Sequence, residues 1–211
     1  SDKWLYWVFK AIEALAVFAT SLIVFLAFIP IEQVALLLAV ALVCIRIFLP
    51  HYLIWRNVSS TLSTIGAGAL IGISVGVLPV ILFLVILAVY DYIAVFRTKH
   101  MVTMAKAVAK KNLSFTFALP TPQHQFELGT GDLVMPLIFS VSVLNEALGN
   151  GIVLPGAVLP SLAIMVASFA GLAFTLDYGN KHIGKALPAL PLQVILMVVM
   201  YGLLTTMGAL G

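Results

Sequence analysis

Two aspartates lie inside stretches of the chain that are otherwise apolar enough to cross a membrane. Asp91 stands in the run LAVYDYIAVF, and Asp132 stands in the run ELGTGDLVMP. A charged aspartate near the middle of a bilayer costs roughly 2.5–3.5 kcal/mol on insertion scales. The chain carries this cost twice, and we therefore expect the pair to do chemistry or to carry protons.

Two carboxyl groups placed close together provide an acid and a base in one site. Because they cannot both ionise easily, they share one proton and titrate as a coupled pair. The ionised member can take a proton from water, and the protonated member can donate one to a carbonyl oxygen. Such a pair can hydrolyse an amide bond, and this chemistry needs no metal and no organic cofactor.

The composition identifies the class of protein. Of the 211 residues, 63% are hydrophobic and 9% are charged, whereas a soluble domain has about 25% charged residues. The spans are helical, because a membrane barrel would alternate polar and apolar residues. The single Cys44 excludes a disulfide and a cysteine-rich metal site, and nothing in the sequence resembles a nucleic-acid module. The prediction is an all-α polytopic protein of the lipid bilayer.

Seven apolar segments are readable along the chain. They cover roughly residues 4–29, 33–49, 62–77, 78–97, 128–148, 152–176 and 186–210. Several match the ~20 residues that cross a bilayer. We expect residues 1–77 to form an N-terminal transmembrane scaffold and residues 78–211 to form the catalytic helices, with a connector at 98–127.

Lysines and arginines indicate how these segments are oriented. They follow the fourth and the sixth segments and flank the second, whereas the turn at 149–151 and the junction at 77–79 carry none. Since cytoplasmic loops are enriched in both residue types, the N-terminus is predicted in the cytoplasm and the C-terminus outside.

This topology places the two aspartates at one depth. Asp91 precedes Arg97 by six residues, and Asp132 follows Glu127 by five. At 1.5 Å per helical residue, each lies ~8–9 Å from the cytoplasmic end of its helix. The shared depth favours a joint function over two separate structural roles.

Each aspartate alone also has a structural interpretation. Asp91, directly after Tyr90, could be buried against a partner helix, and Asp132 could cap a helix that starts at the interface. Gly129 and Gly131 permit either a close helix approach or a local break before Asp132.

The connector contains a pattern that is unusual in a helical membrane protein. In LSFTFALP, the large residues Leu113, Phe115, Phe117 and Leu119 alternate with smaller ones. A period of two is typical of a β-strand. We expect a short strand over 113–119, on the cytoplasmic side, whose edge can pair with an extended segment of another chain.

The last apolar segment begins with two prolines three residues apart, Pro188 and Pro191. They predict an irregular backbone with unpaired groups, which at membrane depth must lie against protein or a wet cavity. Taken alone, the pattern is better explained by an ordinary helix start, where proline is favoured.

Three short motifs follow one another along the later segments: Tyr90-Asp91, Gly129-x-Gly131-Asp132 and Pro188-Ala189-Leu190. In this order they resemble the signature of the presenilin and signal peptide peptidase family of intramembrane aspartyl proteases. The resemblance covers about residues 78–200. Pro191 is more similar to the presenilin branch, and the compact chain resembles the archaeal members.

The resemblance implies an endopeptidase that cuts single-span helices within the bilayer, with Asp91 and Asp132 as its catalytic dyad. It also implies that the motif neighbours support the site: Tyr90, Gly129, Gly131, Pro188, Ala189 and Leu190. The implied setting is the cell membrane of an archaeon. The family has nine spans, and the loss of two preserves the orientation.

A transporter or channel is the alternative, with the same aspartates as a relay for protons or cations. Intramembrane carboxylates and a broken helix are common in transporters, but the segment pattern contains no inverted repeat. A peptide-like transition-state analogue separates the two classes, because only a protease should bind it tightly. The sequence specifies neither the substrate nor an oligomeric state.

Overall fold

A computed structural model describes residues 2–48, 52–98, 116–120, 125–181 and 188–210. The described helices are α1 (Asp2–Phe28), α2 (Glu32–Phe48), α3 (Leu53–Ser74), α4 (Val77–Ile93), α5 (Gly131–Gly149), α6 (Leu154–Lys181) and α7 (Leu190–Thr206). A π-helical turn, Ala94–Thr98, extends α4. The described strands are β1 (Thr116–Pro120) and β2 (Gln125–Gly129).

The helices confirm the predicted helical membrane fold, one for each apolar segment. The third helix differs, because α3 begins at Leu53 and not near residue 62. Its first turns hold polar residues such as Ser59 and Ser60, whose side chains are buried. A search for apolar runs misses these turns because their sequence is polar. They can still be helical and buried, since other parts of the protein cover their polar groups.

In the part of the chain that the structure describes, four helical stretches have the length and composition of membrane spans. They are Trp7–Phe28, Val77–Phe96, Gly131–Gly149 and Leu154–Gly179, and the apolar helix Leu190–Thr206 is shorter. Large apolar side chains such as Leu78 and Phe83 are exposed, while several serines are buried. Small and polar residues between helices with apolar residues outside are typical of membrane bundles.

The chain divides into two compact units. The first comprises residues 1–67 and 108–134, and the second comprises residues 68–107 and 135–211. The predicted division into a scaffold over 1–77 and catalytic helices over 78–211 describes function and not compactness. It stays a prediction.

In the first unit, an ion pair joins α1 to α2. Arg46 donates from Nη2 to Oε1 of Glu13 over 2.8 Å and from Nε to the same oxygen over 3.2 Å. Further along α1, Gly66 of α3 lies directly against the backbone of Thr20, where a Cβ would have no room. A charge pair and a small residue therefore fix the helix contacts of this unit.

The first unit also contains the β-hairpin. The two strands are antiparallel, with Thr116 opposite Gly129 and Pro120 opposite Gln125. The strand predicted over 113–119 is confirmed from Thr116 onward, and its residues Leu113 and Phe115 lie outside the described ranges. The second strand was not predicted, although QFEL also alternates polar and apolar residues.

In the second unit, α5 packs closely on the end of α3. A Cβ at Gly72 would lie 2.6 Å from Cβ of Val141. Ser142 Oγ donates to the carbonyl of Val75 over 2.8 Å, and Asn145 Nδ2 donates to the carbonyl of Ile73 over 3.2 Å. These side chains satisfy carbonyls at the α3 terminus that have no partner within the helix.

The later helices of the second unit are joined by buried polar contacts. The hydroxyl groups of Ser140 on α5 and Ser161 on α6 lie 2.8 Å apart. Tyr201 on α7 donates its hydroxyl to Oε2 of Glu146 on α5 over 2.9 Å. Hydrogen bonds between spans hold helices together where lipid offers no hydrophobic driving force.

Candidate active site

Asp91 lies near the end of α4 and is the last member of its buried stripe. The stripe consists of Val77, Val80, Leu84, Ala88 and Asp91. The Asp91 side chain is 8% exposed, whereas Tyr90 is 65% exposed. The helical period therefore turns the carboxylate inward and the tyrosine outward. Tyr90, predicted to support the site, is next to Asp91 in sequence but on the outer surface.

A backbone group of α7 approaches this carboxylate. The N–H of Leu190 donates to Oδ2 of Asp91 over 3.4 Å. Leu190 begins α7, and the first N–H groups of a helix have no partner within it. The positive end of the helix dipole also favours an anion at this place. The structure thus brings Asp91 together with the Pro188-Ala189-Leu190 motif.

The backbone of this motif differs in part from the prediction. Pro188 and Ala189 precede α7, as expected for an irregular stretch, but Pro191 lies within its first turn. Proline is tolerated there because its missing N–H would have had no helical partner. Of the two interpretations of this segment, Pro191 fits the ordinary helix start, and Pro188 lies in the stretch before the helix. The N–H of Leu190, at the start of α7, donates to the Asp91 carboxylate.

An apolar groove of about 290 Å³ is lined by residues of α4 and α7. It is lined by Val85, Ala88, Val89, Tyr92, Pro191, Val194 and Ile195. Tyr92 and Pro191 are the chain neighbours of Asp91 and Leu190. The groove is thus lined by residues of the same two helices that hold Asp91 and Leu190, and it offers space for an apolar chain.

Asp132 is the second residue of α5. The hairpin leads directly to it, because β2 ends at Gly129 and Thr130 forms the turn before the helix. The Thr130 carbonyl accepts hydrogen bonds from the N–H groups of Leu133 and Val134, over 3.1 and 2.9 Å. The strand and the helix start together hold the position of Asp132.

The two glycines of this segment mark a local break. Among the described residues, a Cβ at Gly131 would meet nothing within 4 Å, and one at Gly129 would make only an ordinary contact with Oδ2 of Asp132. The sequence predicted either a close helix approach or a local break at these glycines. No other helix in the described part of the chain approaches them closely. The depth calculated for Asp132 also changes, since Glu127 lies in β2 and no helix joins the two residues.

The predicted site residues fall into both compact units. Asp91 and Leu190 belong to the second unit, whereas Gly129, Gly131 and Asp132 belong to the first. The pairing of the two carboxylates stays a prediction. Among the described residues, no cluster of three histidine, cysteine or acidic side chains could hold a metal ion.

Sequence reasoning missed one polar residue next to this site. Gln193 is fully buried, one turn after Leu190 in α7. A single amide in the otherwise apolar run LPLQVILMVVM is the signal that could have identified it. Its role is considered below.

The fold and the site define a polytopic membrane protein with a buried aspartate held against a helix start. The sequence model of the family described as signal-peptide peptidase, presenilin aspartyl protease, matches residues 3–126. The chain belongs to this family. No curated protein sequence matches it significantly.

Two solved structures of presenilin family intramembrane aspartate proteases are similar to this chain. One, in space group C222, is 31% identical with a TM-score of 0.64, and the match covers 92% of this chain and 73% of that one. The other, in space group P2, is 33% identical with a TM-score of 0.59, with coverage of 92% and 72%. The protein is thus an aspartic-type intramembrane protease, and the transporter alternative is disfavoured.

Proposed function

We propose that Asp91 and Asp132 form the catalytic dyad and hydrolyse peptide bonds of single-span membrane helices. The observation that carries this proposal is the placement of Asp91, buried in a span and bonded to the start of α7. In a family of aspartyl proteases, an acidic group so placed is a catalytic candidate. Asp132 is proposed as its partner from its motif and its position in the first turn of a helix.

The chemistry follows from one shared proton. The ionised carboxylate removes a proton from water, whose oxygen attacks the peptide carbonyl carbon while the protonated carboxyl donates to the carbonyl oxygen. A tetrahedral diol forms. The carboxyl that took the proton from water then gives it to the nitrogen, the other carboxylate takes a proton from one hydroxyl of the diol, and the C–N bond breaks to release an amine and an acid. The pair ends with one proton, as it began, and this chemistry uses no metal or organic cofactor.

The substrate helix must unwind before the dyad can reach its backbone. Unwinding exposes N–H and C=O groups that are costly in lipid unless they are paired at once. We propose that the segment Leu113–Leu119 pairs with them by strand addition. In the described hairpin β1 has one neighbour, β2, so its other edge is suited to this role. The groove between α4 and α7 is proposed to receive apolar substrate side chains.

The proposed orientation has the N-terminus in the cytoplasm and the C-terminus outside. Basic residues that follow the fourth and sixth segments support it through the positive-inside rule. Water then reaches the dyad from the cytoplasmic side. The proposed location is the cell membrane of an archaeon.

The test is cleavage of a single-span substrate by the purified protein in liposomes. Asp91→Asn and Asp132→Asn should each abolish turnover, and the double variant should be no worse, because the two groups act as one unit. Asp177→Asn is the matched control, since it removes an acidic group from another membrane-length helix, α6, and should retain turnover. Substantial cleavage by either dyad variant would reject the assignment.

A peptide-like transition-state analogue and a proton-flux assay on the same liposomes complete the test. The wild-type protein should bind the analogue tightly and carry no flux that depends on Asp91. Flux without cleavage would restore the transporter alternative.

A further inference from the structure

Gln193 is the most deeply buried polar side chain of α7. It is completely shielded from solvent, and its Oε1 accepts a hydrogen bond from Oγ of Ser168 on α6 over 3.3 Å. Among the described residues, its Nε2 has no hydrogen-bond partner. A buried donor without a partner destabilises a fold, so the amide is not explained by stability.

The backbone of α7 is in close contact with α6 at the same residue. A Cβ at Gly171 would lie 3.0 Å from Cα of Gln193 and 3.1 Å from its backbone nitrogen. Both are backbone atoms, which cannot move aside as a flexible side chain would. Glycine at 171 therefore sets how closely the first turn of α7 approaches α6.

This contact lies one turn from the hydrogen bond at the proposed catalytic carboxylate. Leu190, whose N–H donates to Oδ2 of Asp91, precedes Gln193 by three residues in α7. At 3.4 Å the bond is long, so a small displacement of the turn would break it. Any group that fixes the first turn of α7 against α6 also fixes the donor at Asp91.

We propose that Gln193 is a positioning residue of the active site, which locks the first turn of α7 against Ser168 and Gly171 of α6. This inference rests on the proposed function of Asp91. Gln193 acts through the backbone of Leu190, so its loss should impair the chemical step and leave substrate binding nearly unchanged.

The experiment compares Gly171→Ala and Gln193→Leu with the control Gly202→Ala. A Cβ at Gly202, also in α7, would meet none of the described residues within 4 Å. For Gly171→Ala we expect kcat to fall about tenfold or more while KM stays within about twofold, because misplaced reacting groups slow chemistry more than binding. Gly202→Ala should leave both constants unchanged.

Gln193→Leu separates positioning from structural support. Removing a buried amide with an unpaired donor should leave the melting temperature equal or higher, yet kcat should fall as in Gly171→Ala. Gln193→Asn, which keeps the amide, should recover part of the lost kcat if it still reaches Ser168. A Gln193→Leu variant with wild-type kcat, or one that loses kcat only in proportion to stability, would overturn the inference.

Hydrogen exchange provides a readout that does not depend on cleavage. In both variants the amides of the first turn of α7 should exchange about tenfold faster, through local opening, while those of α5 stay unchanged. Unchanged exchange in that turn would also overturn the inference. If the wild-type protein cleaves no substrate and binds no analogue, the proposed function is rejected. The hydrogen-exchange rates of the first turn of α7 then show by themselves whether Gln193 holds that turn in place.

Discussion

A single backbone N–H distinguishes Asp91 from an ordinary buried aspartate. The Leu190 N–H at Oδ2 is a fixed donor at the start of a helix, and it needs no reorganisation during the reaction. Sequence gives the identity of the carboxylate, and the structure supplies the group that orients it.

The first residue-scale prediction concerns pH. A dyad that works with one shared proton loses activity on the acid side, as the pair gains a second proton, and on the alkaline side, as it loses its last. We therefore expect a bell-shaped plot of kcat/KM against pH for the liposome-bound enzyme. Circular dichroism at each pH controls for unfolding. A flat profile across the acid range, with the fold intact, would contradict a shared-proton mechanism.

The second residue-scale prediction concerns the ion pair of Glu13 and Arg46, whose side chains are 10% and 11% exposed. Removing one partner of a buried pair costs about 3–5 kcal/mol, because the other charge is left uncompensated. Glu13→Gln and Arg46→Met should each lower the free energy of unfolding in detergent by that amount. The double variant Glu13→Leu/Arg46→Met should lie closer to wild type. A loss in the double variant equal to the sum of the two single losses would show that the charges are not coupled.

At the scale of elements, the hairpin combines two functions. It delivers the chain to Asp132 through Gly129 and Thr130, and β1 is proposed to pair with substrate. Consecutive N–H groups of a strand point to opposite edges in an antiparallel sheet. Neighbouring residues of β1 therefore serve different partners.

This alternation gives the element-scale prediction. Phe117→Pro and Ala118→Pro each remove one backbone N–H. Because the two residues are consecutive, one of these N–H groups points to β2 and the other points to the outer edge of β1. The outer-edge substitution should reduce cleavage with little change in melting temperature. The substitution that removes the N–H directed at β2 should reduce both cleavage and the melting temperature. Wild-type turnover in both variants would reject strand addition and leave the dyad assignment untouched.

At the scale of the whole molecule, the proposed topology assigns each connection to one side of the membrane. The single Cys44 allows a cysteine-free background by one substitution, Cys44→Ser. Tyr52 and Val153 are exposed and lie directly before α3 and α6, on the predicted cytoplasmic and outer sides.

A membrane-impermeant maleimide tests this assignment. In intact cells, Val153→Cys should be labelled at once, whereas Tyr52→Cys should be labelled only after permeabilisation. Cleavage activity of each variant verifies its fold. The reverse pattern would invert the topology and place the water supply of the dyad on the outer side.

The sequence by itself determined the class of the fold and indicated the two aspartates that are proposed to act as a pair. Hydrocarbon leaves no partner for backbone groups, so long apolar runs must become helices, and the cost of a buried charge makes Asp91 and Asp132 conspicuous. The period-two pattern predicted the strand that begins at Thr116. These signals are local, and each is set by consecutive residues.

Only the tertiary structure decided which helix faces which. Leu190 and Asp91 are 99 positions apart, and Arg46 and Glu13 are 33 apart. Hydropathy cannot predict such pairs, because a lipid tail and an apolar side chain are nearly equivalent neighbours for a helix face. Side-chain packing makes that choice, through the close contact of Gly171 with α7 and the burial of Gln193.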